Sequence, residues 1–392
     1  MKKSIFALLV AALAFAAIVA AGTSGASTKS EASASTALVK CGKTRTIGFM
    51  GPITGPAANI GVEQSSWAKY FVSKYNKTHK KSKIKLQTED TQLGNPTGTA
   101  EALKGAQALA GNANVLALVG PAGSNEIVGV TKTLKDAGLG WVSGSSTRTT
   151  LTTDGTRTGY MFRTVPPDAI QGTTAASYMI KTLKVKRVYI IDDQETYSTG
   201  LADTVQSRLK AAGVSVTRDG VSQQQSDFSA LIAKIPRDTQ LVYIPWQLTP
   251  KGVAFGQQMK QAGKGSIRLM GADGLFDDTF AAVGSNVYDT NFPVNPKSAI
   301  IKAFKKSHGG KGMYFGAPTY AATQVVAAAY DKACKNGTAT RAEVRTALKN
   351  TKIPAKSSVI GVALRFNRNG DLSTAHQFGI YKSNGSVFNP VG

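Results

Sequence analysis

Short apolar runs alternate with longer amphipathic segments along the first part of the chain. TIGFM (46–50) precedes the helical pattern of VEQSSWAKYFVSKYN, KIKLQTED (83–90) precedes TAEALKGAQALAG, and VLALVG (115–120) precedes EIVGVTKTLKDAG and then GWVS (140–143). Short runs rich in β-branched and aromatic residues favour strands, and apolar residues spaced three or four apart favour helices. The pattern predicts a parallel sheet with helices on both faces.

The same alternation restarts after an interruption and predicts a second lobe. Its strands are VYIID (188–192), VSVT, LVYIP (241–245) and IRLMG (267–271), and its helices are LADTVQSRLKAAG, FSALIAKI and VAFGQQMKQAG. RTVPPDAIQG (163–172) and NVYDTNFPVNP (286–296) interrupt the alternation. We interpret both as crossings between lobes, the alternative being a simple linker with no return. A long helix at 320–337 and a hairpin-like end follow.

Three junctions share a helix-ending signature: LKDAG, LKAAG and MKQAG end at Gly138, Gly213 and Gly263. In each, a lysine lies near the negative end of the predicted helix, and a glycine can take the left-handed cap. The signature supports the α/β assignment.

Composition and charge narrow the class of protein. The 392 residues are 42% hydrophobic and 18% charged, which is typical of a globular chain long enough for two cores. The formal charge of +24 comes from lysines scattered over helix faces and turns without interleaved aromatic residues. We therefore expect no nucleic-acid partner, but an attraction to anionic cell-envelope polymers or lipid headgroups.

The N-terminal segment predicts export. MKKSIFALLVAALAFAAIVAAG combines two lysines, an apolar run and small residues, as signal peptides do, and an uncleaved anchor is the alternative. We assign 1–26 to the signal peptide and 27–42 to a Ser/Ala/Thr-rich tether. The mature chain would be periplasmic or at the cell surface.

The positions of the cysteines and histidines limit which disulfides and metal sites are expected. In an oxidising compartment Cys41 and Cys334 can form a disulfide. The alternative, a lipid on Cys41, fits poorly because Lys40 precedes it and the apolar run ends far upstream. His79, His308 and His376 lie far apart, so we expect neither a metal site nor a cofactor.

The predicted strand ends indicate a ligand site. The loops at 51–61, 120–125 and 143–151 are rich in glycine and hydroxyl residues, and a helix N-terminus near Ser124 suits a carboxylate. The second lobe contributes Tyr197 and Asp273, an acid set between glycines that suits a cation. For Ser124 and Asp273 the alternative is a helix or turn cap. Carboxylate-binding and cation-binding groups on opposite lobes describe a receptor for a zwitterion.

A family resemblance rests on these segments in order. GPITGP, VGPAGS, SGSST, FRTVPPDAIQG, IIDDQETYSTGLA, SDFSALIAKI and LMGADG resemble the extracellular ligand-binding proteins of branched-chain amino-acid ABC transporters, the leucine/isoleucine/valine-binding family. The resemblance covers residues 43–390. It implies a type I periplasmic binding protein, with two Rossmann-like lobes joined by three crossings, that binds its ligand by hinge closure.

The resemblance also implies roles for individual residues. Ser124 and Thr147 would hold the ligand carboxylate, while Asp273 and the carbonyls of Ser145 and Thr147 would hold the amine. Tyr197 would close the cleft from the second lobe. The wall of the side-chain pocket would come from Ile60, Ala122, Trp246, Gln247, Phe276 and Phe315, each of which is as compatible with a core position.

The resemblance sets lobe boundaries and partners too. It implies a first lobe at 43–162 and 292–372 and a second at 163–291 and 373–392, with ABC permease subunits as membrane partners. Two segments depart from the family pattern, IPWQLTP (244–250) and APTYAA (317–322), so leucine, isoleucine and valine are leading ligands within a wider set. Alternatives are a sensor of the same fold and a receptor for short amides, urea or aromatic acids.

Motifs for catalysis are missing from the sequence. It contains no GxSxG, Walker loop or GxGxxG, and SRLK at 207–210 lacks the partner motifs of a penicillin-recognising enzyme. We therefore predict a binding protein and not an enzyme.

Overall fold

The computed structural model describes residues 36–96, 98–293, 295, 297–309, 314–374 and 377–391. The predicted signal peptide, most of the predicted tether and His376 lie outside the described residues. None of the helices in the described part of the chain combines the length and the apolar composition that a bilayer span requires.

The first sheet has five parallel strands in the spatial order β3-β2-β4-β5-β6. The central strands β4 and β5 are buried at every position, as expected for a parallel sheet covered by helices on both faces. Its strands are β2 Thr44–Gly51, β3 Lys83–Asp90, β4 Val115–Val119, β5 Gly140–Ser143 and β6 Met161–Arg163. The connecting helices are α1 Ala58–Thr78, α2 Gly98–Gly111, α3 Ser124–Asp136 and the short α4 Thr150–Thr153.

The second sheet has seven strands in the order β14-β13-β11-β10-β9-β7-β8, of which the last two in sequence form an antiparallel hairpin at one edge. Its strands are β7 Arg187–Asp192, β8 Ser215–Gly220, β9 Leu241–Tyr243, β10 Arg268–Met270, β11 Val287–Asn291, β13 Gly379–Ser383 and β14 Phe388–Pro390. Its helices are α5 Asp168–Lys181, α6 Thr196–Ala211, α7 Ser229–Ala233, α8 Thr249–Gln261 and α9 Asp278–Ala281. One predicted crossing needs correction, because Val287–Asn291 is a buried strand of this sheet and the chain crosses only after it.

After β11 the chain returns to the first sheet. It forms α10 Ala299–His308, α11 Gly316–Ala333 and α12 Arg341–Lys349 before it crosses again to reach β13. Helix α11 is buried along most of its length, and the Tyr330 hydroxyl donates to the Thr46 carbonyl (2.7 Å) and accepts from the Leu116 N–H (2.7 Å). We call the first sheet with α1–α4 and α10–α12 the first lobe, and the second sheet with α5–α9 the second lobe. The exact lobe boundaries stay predictions.

A disulfide joins the start of the folded chain to the end of α11. Cys41 and Cys334 are bonded, and β1 Val39–Lys40 pairs antiparallel with β12 Thr338–Ala339. The tether prediction is therefore wrong for residues 39–41, because backbone pairing and the disulfide hold them against the first lobe.

The three predicted helix endings are confirmed. Gly138, Gly213 and Gly263 have φ of 69°, 74° and 71°, the left-handed region that glycine adopts without steric cost. These caps turn each helix back towards the strand that follows, so the strand ends of each sheet lie along one edge.

Candidate ligand-binding site

A small cavity lies between the lobes, lined by residues of both. Its wall combines loops that follow the strands of both sheets. The first lobe contributes Ile60, Leu93, Ala122, Gly123, Ser124, Ser145 and Phe315, and the second contributes Tyr197, Gln247, Asp273 and Gly274.

The first-lobe wall is built on the turn between β4 and α3. Gly120 has φ of 97°, and a Cβ there would lie 2.1 Å from the Met50 carbonyl oxygen, so only glycine fits. The Gly123 N–H donates to the Glu126 carboxylate (2.7 Å), which completes the start of the helix. The turn thus brings the positive end of α3 to the cavity at Ser124.

Ser124 is not the helix cap. Gly123 occupies the cap position, and the Ser124 hydroxyl accepts from the Arg148 backbone N–H (3.3 Å). Because that hydroxyl acts as an acceptor, its own hydrogen remains able to donate to a ligand.

Ser145 lines the cavity, and hydrogen bonds fix its position. Its hydroxyl donates to the Ala122 carbonyl (2.8 Å) and accepts from the Gln64 amide (2.8 Å). The loop after β5 is therefore tied to the loop after β4, and the first-lobe wall is preformed.

The expected role of Thr147 needs correction. Thr147 is fully buried and is not part of the cavity wall, and its carbonyl accepts from the Asp168 N–H (2.8 Å). The residue lies behind the wall because the chain turns there into α4 and towards α5.

The second-lobe wall centres on Asp273, in the short 3₁₀ turn that follows β10. The Tyr197 hydroxyl donates to its carboxylate (2.7 Å), and only 3% of the residue is exposed. Burial raises the pKa of Asp273 to about 6, although hydrogen bonds from Tyr197 and Gln171 favour its ionised form. A cation placed in the cavity would pair with this carboxylate.

Gly274 permits the position of the Asp273 turn. A Cβ at Gly274 would lie 2.6 Å from both the Gln247 Cα and the Trp246 carbonyl oxygen. The turn can therefore pack against the loop after β9 only with glycine at this position.

Two further buried carboxyl groups interact electrostatically with Asp273. Burial, and then repulsion by Asp273, raise the pKa of Asp168 to about 7 and raise the pKa of Asp289 well above its usual range. None of the four carboxyl oxygens has a hydrogen-bond partner of normal geometry among the described residues. No sequence motif indicated either residue, since one follows a double proline and the other lies within a strand.

Two residues predicted for the pocket wall lie elsewhere. Trp246 is part of the second-lobe core, where its indole N–H donates to the Ile191 carbonyl (2.8 Å) and its ring packs against Phe228 and Phe255. Its backbone follows β9 as predicted, but the side chain points into the apolar interior.

Phe276 is also directed away from the cavity. Its ring packs against Tyr314 (4.3 Å between centroids), Tyr381 (4.8 Å) and Phe388 (4.8 Å). Leu93, which no motif indicated, lines the cavity instead, because the loop after β3 folds under the second lobe at Gly94.

Contacts between the lobes surround the cavity. The Arg148 guanidinium donates to the Thr196 carbonyl and to the Thr199 hydroxyl (3.1 Å), and the Gln224 amide donates to the Gly94 carbonyl (3.2 Å). The structure is thus a closed form in which both lobes line the cavity.

Two lobes closed on a cavity that both of them line are typical of a solute-binding protein of the hinge-closing type. The sequence profile of the family described as periplasmic binding protein matches residues 44–386. The chain belongs to this family, in its Leu/Ile/Val-binding branch, and membership implies an extracytoplasmic location.

Relatives and solved structures agree on the family and the fold. A Leu/Ile/Val-binding protein of Rhizobium johnstonii is 31% identical over 349 residues, which cover 86% of this chain and 91% of the relative. The branched-chain amino acid transporter substrate-binding protein of Streptococcus pneumoniae, solved with isoleucine, has a TM-score of 0.74 at 22% identity and covers 89% of this chain and 100% of that chain. The predicted type I periplasmic binding protein fold is confirmed.

The fold does not fix the ligand. A solute-binding protein of R. palustris, solved with benzoate, has a TM-score of 0.76 at 16% identity and covers 89% of this chain and 96% of that chain. Two neighbours with different ligands are thus about equally similar in fold, and the ligand class must be argued from the cavity itself.

Proposed function

We propose that this protein captures a free amino acid in the cavity between its lobes and delivers it to the permease of an ABC transporter. One observation carries the proposal: the N-terminus of α3 at Ser124 lines the same cavity as the buried carboxylate of Asp273 on the opposite lobe. An α-carboxylate fits the first group and an α-ammonium fits the second. The names of the relatives support leucine, isoleucine and valine as leading ligands.

The first lobe would bind the ligand carboxylate. The first turn of a helix has unpaired N–H groups and a partial positive charge, and together they stabilise an anion by roughly 0.3–2 kcal/mol. The Ser124 hydroxyl would add a hydrogen bond, and Thr147 would act only from behind the wall.

The second lobe would bind the ammonium. Asp273 is desolvated, so a charge-assisted hydrogen bond to a ligand cation is strong there and would lower the raised pKa of the carboxyl. Asp168 and Asp289 add negative potential when they are ionised. The carbonyl of Ser145 would complete the amine site.

The side chain of the ligand would contact a mostly apolar surface. Ile60, Leu93, Ala122 and Phe315 line the cavity from the first lobe and belong to one buried cluster. A surface of this kind suits a side chain of branched aliphatic size.

Ligand binding would favour the closed form. Only when the lobes meet can one molecule contact both Ser124 and Asp273, so the ligand shifts the equilibrium by its greater affinity for the closed state. On closure, Tyr197 would move over the ligand together with Asp273. The surface of the closed form would be what the permease recognises.

A receptor for aromatic acids is the second candidate, since the benzoate-bound neighbour has the same fold. A ligand with a carboxylate and no amine would leave Asp273 buried without a counter-charge and near another anion, which is unfavourable. The cavity therefore favours an amino acid.

Isothermal titration of the purified protein against the protein amino acids, urea, acetamide and benzoate tests the proposal. We expect one-to-one binding of an amino acid of branched-chain size and no binding of the other three compounds. Binding of benzoate, urea or acetamide without any amino acid would contradict the roles of Asp273 and the amine, while leaving the family assignment intact.

A further inference from the structure

Gln247 presents an unused polar group to the cavity. It follows β9, lines the cavity and is only 4% exposed. Its side-chain nitrogen is buried and has no hydrogen-bond partner among the described residues. A buried amide without a partner costs free energy, so a group of this kind at a binding site is expected to meet a ligand atom.

The backbone of Gln247 is held in place. Its N–H interacts with the buried Asp193 carboxyl, and Gly274 packs directly against its Cα. The side chain therefore starts from a fixed point in the second-lobe wall and reaches the cavity by rotation about its own bonds.

In sequence, Gln247 adjoins the apolar cluster that lines part of the cavity. The next residue, Leu248, belongs to the buried cluster that contains Ile60, Leu93 and Phe315. The proposed amino-acid function assigns Ser124 to the carboxylate and Asp273 with Tyr197 to the amine. The Gln247 amide is then left to face the side chain of the ligand.

We propose that Gln247 is a specificity-determining residue that favours an amino acid whose side chain carries a hydroxyl or a short amide over its aliphatic isostere. The inference rests on the proposed amino-acid function but changes the order of its leading ligands: threonine above valine, and asparagine above leucine. A carboxamide can offer either its NH₂ or its carbonyl, and hydroxyl and amide groups can pair with both. An aliphatic side chain leaves the amide unpaired, and sites built to hydrogen-bond a substrate discriminate strongly against analogues that lack the group.

The two isosteric pairs provide the test. Titration of the purified protein with threonine, valine, asparagine and leucine should show binding of threonine about tenfold or more tighter than valine, and the same order for asparagine over leucine. Gln247→Leu should abolish or reverse both preferences. Gln257→Leu, which changes an exposed glutamine on α8, should keep the wild-type ratios.

The outcomes separate the two proposals. Valine and leucine bound as tightly as their polar isosteres, with ratios unchanged in Gln247→Leu, would overturn the role of Gln247 and leave the amino-acid function standing. Binding of none of the four would overturn the proposed function itself. Thermal melting should show that Gln247→Leu is folded, and Gln247→Met, which keeps the length of the side chain, serves if it is not.

Discussion

The two walls of the cavity differ in how fully their polar groups are paired. On the first-lobe wall, Ser124 and Ser145 are hydrogen-bonded, and none of the described residues that line the cavity there is ionisable. On the second-lobe wall, Asp273 is desolvated, with a raised pKa, and Gln247 has an unpaired nitrogen. The serine side chains of the first wall are held in place without a ligand, whereas the second wall is stabilised when a ligand supplies the missing partners.

This difference indicates that the two walls contribute to ligand binding at different steps. A preformed wall can bind the ligand in the open state with little reorganisation. A wall with unpaired groups gains free energy only after closure, which couples ligand binding to the hinge motion. Substitutions that remove polar groups from the second-lobe wall should therefore lower ligand affinity more than substitutions in the first-lobe wall.

The largest expected effect is that of Asp273→Asn. The variant keeps the shape of the side chain and removes the counter-charge of the ammonium, so affinity for the preferred amino acid should fall about 100-fold or more. The ligand-free melting temperature should be unchanged or higher, since a buried carboxyl is removed. Titration and thermal melting measure both quantities.

Asp278→Asn is the matched control, because Asp278 is exposed in the same segment. Its affinity should equal that of the wild type. If Asp273→Asn bound amino acids normally, the amine site would be misplaced and the comparison of the walls would lose its basis.

A pair of glycine substitutions compares the walls directly. A Cβ at Gly274 would meet backbone atoms at 2.6 Å, whereas a Cβ at Gly123 would meet the ends of the Leu93 and Asn125 side chains at 2.8 and 2.7 Å. Side-chain ends can move and backbone cannot, so Gly274→Ala should destabilise the fold by about 2 kcal/mol and Gly123→Ala by less. Chemical denaturation of both variants measures the difference, and equal losses would contradict the argument.

The smallest effect concerns pH. An ammonium needs Asp273 ionised, and its pKa in the ligand-free protein is about 6. Affinity should therefore fall about tenfold between pH 7.5 and pH 5. Titration at several pH values measures this, and Asp273→Asn should show little of the decrease.

The stability of the ligand-free protein should change with the opposite sign. The pKa values of Asp273 and Asp168 are raised in the folded state, to about 6 and about 7, so the fold binds more protons than the unfolded chain over this range. Their contribution therefore lowers the free energy of unfolding as pH rises from 4 to 8. Acidification raises the free energy of unfolding again. Glu126, with a pKa raised to about 7 by burial, acts in the same direction, so Asp273→Asn should reduce this pH dependence without abolishing it.

Much of the site could be predicted because strand ends are local features. The loop after β4 was recognisable as a glycine-rich turn before a helix. Asp273 was recognisable as an acid between glycines after a strand. Eight of the predicted site residues line the cavity: Ser124, Ser145, Asp273, Tyr197, Ile60, Ala122, Gln247 and Phe315.

Two of the site predictions that missed concern the direction of side chains. Trp246 and Gln247 are neighbours in sequence, yet one enters the core and the other lines the cavity. Their loop could place either side chain inward, and the packing of Phe228 and Phe255 decided which one it was.

The sequence by itself determined most of the longer strands and helices and three helix endings, since hydrophobic period and glycine caps act over a few residues. It also determined that small, hydroxyl-bearing loops follow the first-lobe strands. Only the tertiary structure decided that Leu93 lines the cavity and that Asp168 and Asp289 interact with Asp273. Those relations join residues far apart in the chain, and their energies depend on burial and distance, which exist only after the two lobes have packed.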